Sequence, residues 1–398
     1  MSRISPPECA SPSLSLGSLW ARDAAGGVPA LFVGRRVSYS FNTRVAIRRA
    51  CDTLGLKRGD EVLVPAYSCG SELDPLLEAG LTLRLYAVDG QARIDPDDIV
   101  RRITPRSRAV YLTHYFGVLH PNTAAVRQLC DDHGLWLIED CALSLLSGPT
   151  PAGGRAGDIA LFCFYKLFPV LGGGALVLNT TKIAASVAFS NPPPSKLVAK
   201  SLIRAVLDVV LGRAGLAALR KLRPQKTATL AGGSRYPDMP ASYYFDPALK
   251  DAAIAGVTAR AIGSFDVAGA IRARRANYGH YRALLADIPG VSLLYPNLPE
   301  DACPLNMPVL VENRDVLCAA LTAQGIGATP WWAGFHQGVD LGEFPDACYL
   351  KTHLLALPLH QTMGEPHIAH VVAELRAAIS GSMPPTTAPD PRLPAGAA

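Results

Sequence analysis

Charge is scarce in this chain. Asp, Glu, Lys and Arg make up 18% of 398 residues, and the formal net charge is only +5. So small an excess over so long a chain excludes the dense basic patch that nucleic-acid binding requires, and no nucleic-acid partner is expected. Paired cysteine spacings are missing as well. The nine cysteines, Cys9, Cys51, Cys69, Cys130, Cys141, Cys163, Cys303, Cys318 and Cys348, are scattered and odd in number. None forms a Cys-x-x-Cys pair, so no zinc or dithiol site is expected. They read instead as small, mostly buried residues of a reducing compartment. No run of about 18 uninterrupted apolar residues occurs, and the N-terminus has no charged region followed by a continuous apolar core. Neither a membrane span nor a secretory leader is expected, and the cytoplasm is the default location.

Apolar residues, in contrast, are plentiful. At 49% hydrophobic content and a length beyond one ordinary domain, the chain can bury a sizeable core. Residues 1–30 are rich in Ser, Pro and Gly and read as an irregular arm. From Asn42 to Leu54 the residues Val45, Ala46, Ile47, Ala50 and Leu54 recur at helical spacing behind a capping asparagine. Gly59-Asp60 marks a turn, and Glu61-Val-Leu-Val-Pro65 reads as a short buried strand. The alternation continues with a strand over 81–88, a helix over 96–103, a strand over 109–113, a helix over 123–133 and a strand over 135–138. Such alternation predicts an α/β fold with a mainly parallel sheet flanked by helices.

In parallel sheets ligands sit beyond the carboxyl ends of the strands. Three polar residues fall at such ends: His114, Asp140, and Lys166 in the loop after Ala-Leu-Phe-Cys163. Lys166 stands among apolar residues just before a glycine run. Burial lowers the pKa of such an amine and leaves a neutral nucleophile suited to a Schiff base; alternatively its stem packs on the core and its amine reaches water. Asp140 ends an apolar strand, where a buried carboxylate needs a cationic or hydrogen-bonded partner; a protonated pyridine nitrogen is one, and capping the next segment is the alternative. The helix start at Asn42-Thr43-Arg44 suits a phosphate, with backbone N–H groups, a hydroxyl and a guanidinium together, or is a capped surface helix.

The middle of the chain is less regular. Lys196 to Leu211 reads as an amphipathic helix with Lys196, Lys200 and Arg204 on one stripe, followed by Arg213, Arg220, Lys221 and Arg223. It packs on its own subunit or across a dimer, or else 196–223 makes a weak membrane-surface contact. A long helical region over 252–285, strand signals over 291–310, a helix over 316–324 and a closing helix over 366–379 follow.

Read in order, these motifs resemble the DegT/StrS-type family of nucleotide-sugar aminotransferases, pyridoxal-phosphate enzymes of the aspartate-aminotransferase fold. The carriers are Leu54-Gly-Leu-Lys-Arg-Gly-Asp-Glu-Val-Leu-Val-Pro-Ala-Tyr67, Ile94-Asp-Pro with Ile103-Thr-Pro-Arg106, Thr113-His-Tyr-Phe-Gly117 and Ile138-Glu-Asp-Cys-Ala142. Further on come Gly157-Asp-Ile-Ala-Leu-Phe-Cys-Phe164, Gly173-Gly-Ala-Leu-Val-Leu-Asn179, Gly325-Ile-Gly-Ala-Thr-Pro-Trp331 and Leu357-Pro-Leu-His360. The resemblance implies a cofactor-binding large domain over 31–250, with 181–240 as an atypical basic helical insertion. A connector helix and a smaller C-terminal α+β domain would occupy 251–380, with a disordered tail over 381–398. Pyridoxal phosphate is the implied cofactor, a homodimer the implied assembly, and an amino-acid donor and a nucleotide-linked keto sugar the implied substrates. By the same resemblance Lys166 carries the cofactor, Asp140 pairs with its ring nitrogen, and Asn42, Thr43 and Arg44 receive its phosphate. Cys69 takes the place of a ring that stacks on the cofactor, and Cys163 that of a phosphate-binding serine.

The chain also departs from its relatives. They have Ser-Gly-Thr where Asn42-Thr43-Arg44 stands, and a polar residue that reaches the cofactor where Leu143 stands. In a gapless alignment Phe168 occupies the lysine position and Lys166 lies two residues earlier, so either a shorter loop brings Lys166 to the same point or the Schiff-base chemistry is lost. The alternative function is accordingly a catalytically degenerate protein of the same fold, a partner or regulator in a polysaccharide pathway.

Overall fold

Strand β2 (Glu61–Pro65), β4 (Ser107–Thr113), β5 (Trp136–Asp140) and β6 (Ile159–Cys163) are almost wholly buried. That burial accounts for their near-continuous apolar sequences, because a parallel strand is covered on both faces. The computed structural model describes residues 27–150, 152–203 and 237–382. The order in its seven-stranded sheet is β1-β7-β6-β5-β4-β2-β3, where β1 is Arg36–Ser40, β3 Thr82–Tyr86 and β7 Gly174–Leu178. Neighbours from β3 to β6 pair in parallel, while β7 runs antiparallel to both β6 and β1. The expected mainly parallel sheet is therefore present.

Helices α1 (Thr43–Thr53) and α2 (Asp74–Glu78) cover one face, where Ala46, Ile47, Ala50 and Leu76 pack on Val62, Val64, Tyr111, Ile138 and Leu161. Helices α3 (Pro96–Arg102) and α4 (Thr123–Asp132) cover the other, with Ile99, Val126 and Leu129 against Leu63, Val110, Leu112 and Leu137. Each Val, Leu or Ile among them contributes roughly 1.5–3 kcal/mol by leaving water.

Asn42 caps α1 as expected, its Oδ1 accepting the Val45 N–H at 3.1 Å. The long helix expected over 252–285 is instead two, α5 (Gly256–Gly263) and α6 (Val267–Leu285). The break lies at Ser264–Asp266, where Asp266 caps α6 by accepting the Gly269 N–H at 2.8 Å. A four-stranded antiparallel sheet follows in the order β10-β11-β9-β8, formed by Thr329–Pro330, Leu354–Leu357, Met307–Val311 and Val291–Leu293 respectively. The strand signals over 291–310 thus split, with 294–306 outside any strand. Helices α6, α7 (Arg314–Ala323) and α9 (Glu365–Ser382) build this sheet's core from Tyr278, Tyr281, Leu317, Leu321, Ile368, Val371 and Leu375. Helix α8 (Pro345–His353) leads directly into β11.

Of the irregular arm expected over 1–30, residues 1–26 lie outside the described residues. Val28–Phe32 form a turn of 3-10 helix, and Val28 and Phe32 are buried in a cluster with Phe162 and Ile262. Strand β1, to which the sequence reading assigned no element, closes the sheet edge. Of the basic segment, 195–203 are helical, with Leu197 and Ile203 exposed; 204–223 lie outside the described residues, as does the tail from 383. Among the described residues no helix is long and apolar enough to cross a membrane.

Candidate active site

The antiparallel hairpin β6–β7 brings three chain segments to one edge. Cys163 at the end of β6 and Ser40 at the end of β1 are both register partners of Gly174. The chain leaving β1 therefore enters α1 beside the chain leaving β6 toward Lys166. A Cβ at Gly174 would stand 2.9 Å from both the Thr43 nitrogen and the Phe162 oxygen, so only glycine permits this close approach. The Thr43 hydroxyl completes the junction by donating to the Phe162 carbonyl at 3.2 Å. One step across the sheet, Thr113 and Asp140 are register partners at the ends of β4 and β5. The loop after β2 supplies Cys69 and Glu72.

These segments line a cavity of about 1030 Å³ at the carboxyl ends of the parallel strands. Its wall includes the seven residues to which the resemblance assigned cofactor roles, Asn42, Thr43, Arg44, Cys69, Asp140, Cys163 and Lys166, but not His114. Asp140 is buried, with Oδ2 accepting from the Tyr111 hydroxyl at 2.8 Å and Oδ1 from the Ala142 N–H at 2.8 Å. Those bonds fix the carboxylate plane and leave lone pairs for a ligand. The adjoining Thr113 hydroxyl oxygen is buried without a hydrogen-bond partner among the described residues.

The Lys166 amine makes no hydrogen bond to the described residues. Its pKa is displaced in the direction opposite to that expected: burial works against the ammonium, but the acidic groups of Tyr165, Cys163, Cys69 and Asp140 outweigh it and raise the value above that of an ordinary lysine. The pKa lowering expected from burial alone is thus corrected to a rise.

The capping bond of Asn42 takes one N–H of the first turn and leaves those of Thr43 and Arg44 without intrahelical acceptors, facing an anion-favouring helix start. The Arg44 guanidinium is itself engaged, donating to the Ser242 carbonyl at 2.6 Å and the Tyr244 carbonyl at 3.1 Å. Cys163 and Cys69 are both buried, and burial raises both thiol pKa values, so they act as small neutral walls. His114, at the end of β4, faces the core. Its Nδ1 accepts the His120 N–H at 2.9 Å, which puts the proton on Nε2, 2.8 Å from Glu139.

Three further wall residues escaped the sequence reading as site residues. Glu72 is a second buried carboxylate, with Oε1 accepting the Cys69 N–H at 2.8 Å. Burial and the charge of Asp140 raise its pKa. Trp331 and Trp332 stack on each other at 5.9 Å, and Trp332 has φ 52°, a left-handed conformation that costs a bulky residue energy. The Lys351 amine fastens that loop, donating to the Ser68, Trp332 and Gly334 carbonyls at 2.8, 3.0 and 2.8 Å. A polar pair in the Ser71-Glu72 turn was the available signal for Glu72.

The family model described as the DegT/DnrJ/EryC1/StrS aminotransferase family matches residues 32–193 and 261–376. This chain belongs to that family. Among curated relatives it is 31% identical over 147 residues to GDP-perosamine synthase of Vibrio cholerae, a match spanning 36% of this chain and only 39% of that protein. It is 26% identical over 341 residues to dTDP-4-dehydro-2,3,6-trideoxy-D-glucose 4-aminotransferase of Saccharopolyspora spinosa, covering 82% and 80% of the two chains. The PLP-form structure of Spr1654 from Streptococcus pneumoniae superposes with a TM-score of 0.67 at 13% identity, over 96% of this chain and all of that one. At that identity the likeness concerns the fold alone.

Within this aminotransferase family the chain's departures have defined places. Phe168 is buried and stacks on Phe265 at 4.6 Å, and both it and Lys166, two residues earlier, line the cavity. Leu143, also in the wall, is buried among apolar neighbours of the β6–β7 cluster.

Proposed function

We propose that this aminotransferase is pyridoxal-phosphate-dependent and passes an amino group from an amino-acid donor to a keto sugar carried on a nucleotide. The observation that carries the reading is the presence of Lys166 and the doubly hydrogen-bonded Asp140 in one cavity with the first turn of α1. The residues fit the cofactor: a carboxylate with free lone pairs, an amine, a helix start and an orphaned Thr113 hydroxyl converge on it. Pyridoxal phosphate supplies an aldehyde that takes up amines and a ring that withdraws electrons from the attached carbon. Asp140 would keep the ring nitrogen protonated, its orientation set by Tyr111 and Ala142. Lys166 would hold the cofactor covalently and, once released by a donor amine, shuttle a proton to and from the substrate carbon.

The N–H groups of Thr43 and Arg44 would take the phosphate, with Cys163 beside the Thr43 hydroxyl and Cys69 as a wall for the ring. The remaining cavity, toward Tyr243, Trp331 and Trp332, leaves room for the sugar acceptor. Two copies of this chain assembling as a homodimer belong to the same reading.

The test is an absorbance spectrum after incubation with pyridoxal phosphate and desalting, followed by amino transfer from glutamate to a dTDP-linked 4-keto sugar. A retained visible band, and an aminated sugar identified by mass, are expected. A folded protein that retains no cofactor would overturn the proposal.

A further inference from the structure

Arg274, on α6, is fully buried, and no carboxylate of the described residues pairs with it. Burial lowers its pKa to about 10, which still leaves it charged at neutral pH. A guanidinium without a counter-ion is costly in a core unless every donor finds an acceptor. Here each donor group does. Nη1 donates to the Pro304, Leu305 and Leu359 carbonyls at 3.0, 2.8 and 3.1 Å. Nε donates to Gln361 Oε1 at 2.9 Å, and Nη2 to the Leu167 carbonyl at 3.4 Å. The Gln361 amide then turns its own Nε2 to the same Leu167 carbonyl at 3.0 Å.

Leu167 is the residue next to Lys166. Two side chains from outside the large sheet thus converge on the peptide carbonyl beside the cavity's lysine, and they are hydrogen-bonded to each other. The segment that bears Gln361 is itself held to α6, since Asn277 Nδ2 donates to the Met363 carbonyl at 3.2 Å and the Tyr281 hydroxyl to the Pro358 carbonyl at 2.8 Å. Residues 274, 277 and 281 lie at helical spacing on one face of α6, so one helix grips the segment leaving β11 and, through Gln361, the lysine loop.

We propose that Arg274 and Gln361 are positioning residues for Lys166, a brace that sets the main chain of the lysine loop so that the amine faces the Asp140 cavity. The proposal rests on the reading of Lys166 as the cofactor-bearing amine. It assigns the brace no contact with substrate or cofactor.

Gln361→Glu separates bracing from packing. The glutamate retains an acceptor for Arg274 Nε, so the core partner is kept, but it loses the N–H that holds the Leu167 carbonyl. Arg274→Lys serves as the second variant. Two readouts apply to the full chain: titration of the visible band with pyridoxal phosphate, with borohydride-trapped Lys166 quantified by mass, and acetic anhydride labelling of Lys166 relative to the exposed Lys57 without cofactor.

For Gln361→Glu, with the thermal midpoint retained, roughly fivefold more pyridoxal phosphate is expected at half saturation, the worth of one hydrogen bond. Labelling of Lys166 is expected to rise several-fold as its amine leaves the acidic wall. Unchanged titration and labelling in Gln361→Glu would overturn the brace, even if Arg274→Lys does not fold. Absence of a band in the parent protein would overturn the cofactor reading instead, and the labelling comparison would still decide the brace.

Discussion

Tyr111 donates to Asp140 Oδ2 at 2.8 Å from the adjacent strand, and both residues are buried. The bond links the core of the sheet to the wall of the cavity, because Tyr111 belongs to the apolar cluster under α1 whereas Asp140 ends β5. Tyr111→Phe keeps the ring and removes only the donor. A hydrogen bond to a charged acceptor is worth about 1.5–3 kcal/mol, and a loss of that size is expected in chemical denaturation, with weaker retention of pyridoxal phosphate. A variant as stable and as well loaded as the parent would show that Ala142 alone orients the carboxylate.

Lys166→Ala removes the amine that the proposed function requires. Amino transfer should fall by at least the roughly 10²–10⁴-fold attributed to a positioned proton-transfer group, and no borohydride-stable addition should be found on the 162–173 peptide. If modification moves to another lysine while activity persists, the assignment of Lys166 fails. A Phe168→Leu control, in which the family's usual lysine position stays apolar, should keep the visible band.

Glu72 gives a pH dependence of unusual sign for a carboxylate. Burial first, and then Asp140, raise its folded pKa above the unfolded value of about 4.3. A raised folded pKa contributes stability at pH below the unfolded value and loses it as pH climbs through the folded one. Glu72→Gln does not titrate and escapes that loss. The stability of the variant relative to the parent should therefore increase from pH 4 upward and level off once Glu72 is ionised in the fold. Urea midpoints at pH 4, 5.5 and 7.5 measure it; a difference that is flat or falls with pH would show that Glu72 is not held against ionisation.

The sheet was legible because parallel strands announce themselves as short apolar runs between turn signals, as Glu61-Val-Leu-Val-Pro65 does between Gly59-Asp60 and the following loop. Asp140 and Lys166 were legible because each interrupts such a run at a strand end. Strand β1 was not: Val37-Ser-Tyr39-Ser40 alternates like a half-buried edge strand, and only its pairing with β7, distant in sequence, distinguishes it from a loop. For Lys166 the lowered pKa was one of two readings left open, and it weighed burial alone. The acids that outweigh burial are first Tyr165 and Cys163, its neighbours in sequence, and then Cys69 and Asp140, which the fold brings in from tens of residues away. Arg274 and Gln361 were hidden in the same way, since the Leu167 carbonyl they share has no signature in sequence.

Glu61, at the start of the strand that leads to the Cys69–Glu72 turn, titrates in the opposite sense to Glu72. Its side chain is fully buried and accepts from Arg106 Nη2 at 2.7 Å, Arg84 Nε at 3.3 Å and the Thr104 hydroxyl. Burial raises its pKa, but the bonds from Thr104, Arg84 and Arg106 together outweigh burial and hold the value below the ordinary one. A depressed folded pKa contributes stability that is present above the unfolded value of about 4.3 and is lost as pH falls through the folded one. Arg106 is largely exposed, so water screens its share of the attraction. Glu61→Gln is accordingly expected to cost about 1–3 kcal/mol at pH 7, less than a fully buried ion pair would. Below pH 4 the difference between parent and variant should narrow, because the parent's carboxylate is then protonated too. A difference that persists unchanged at pH 3 would assign the loss to packing and hydrogen-bond geometry rather than to charge.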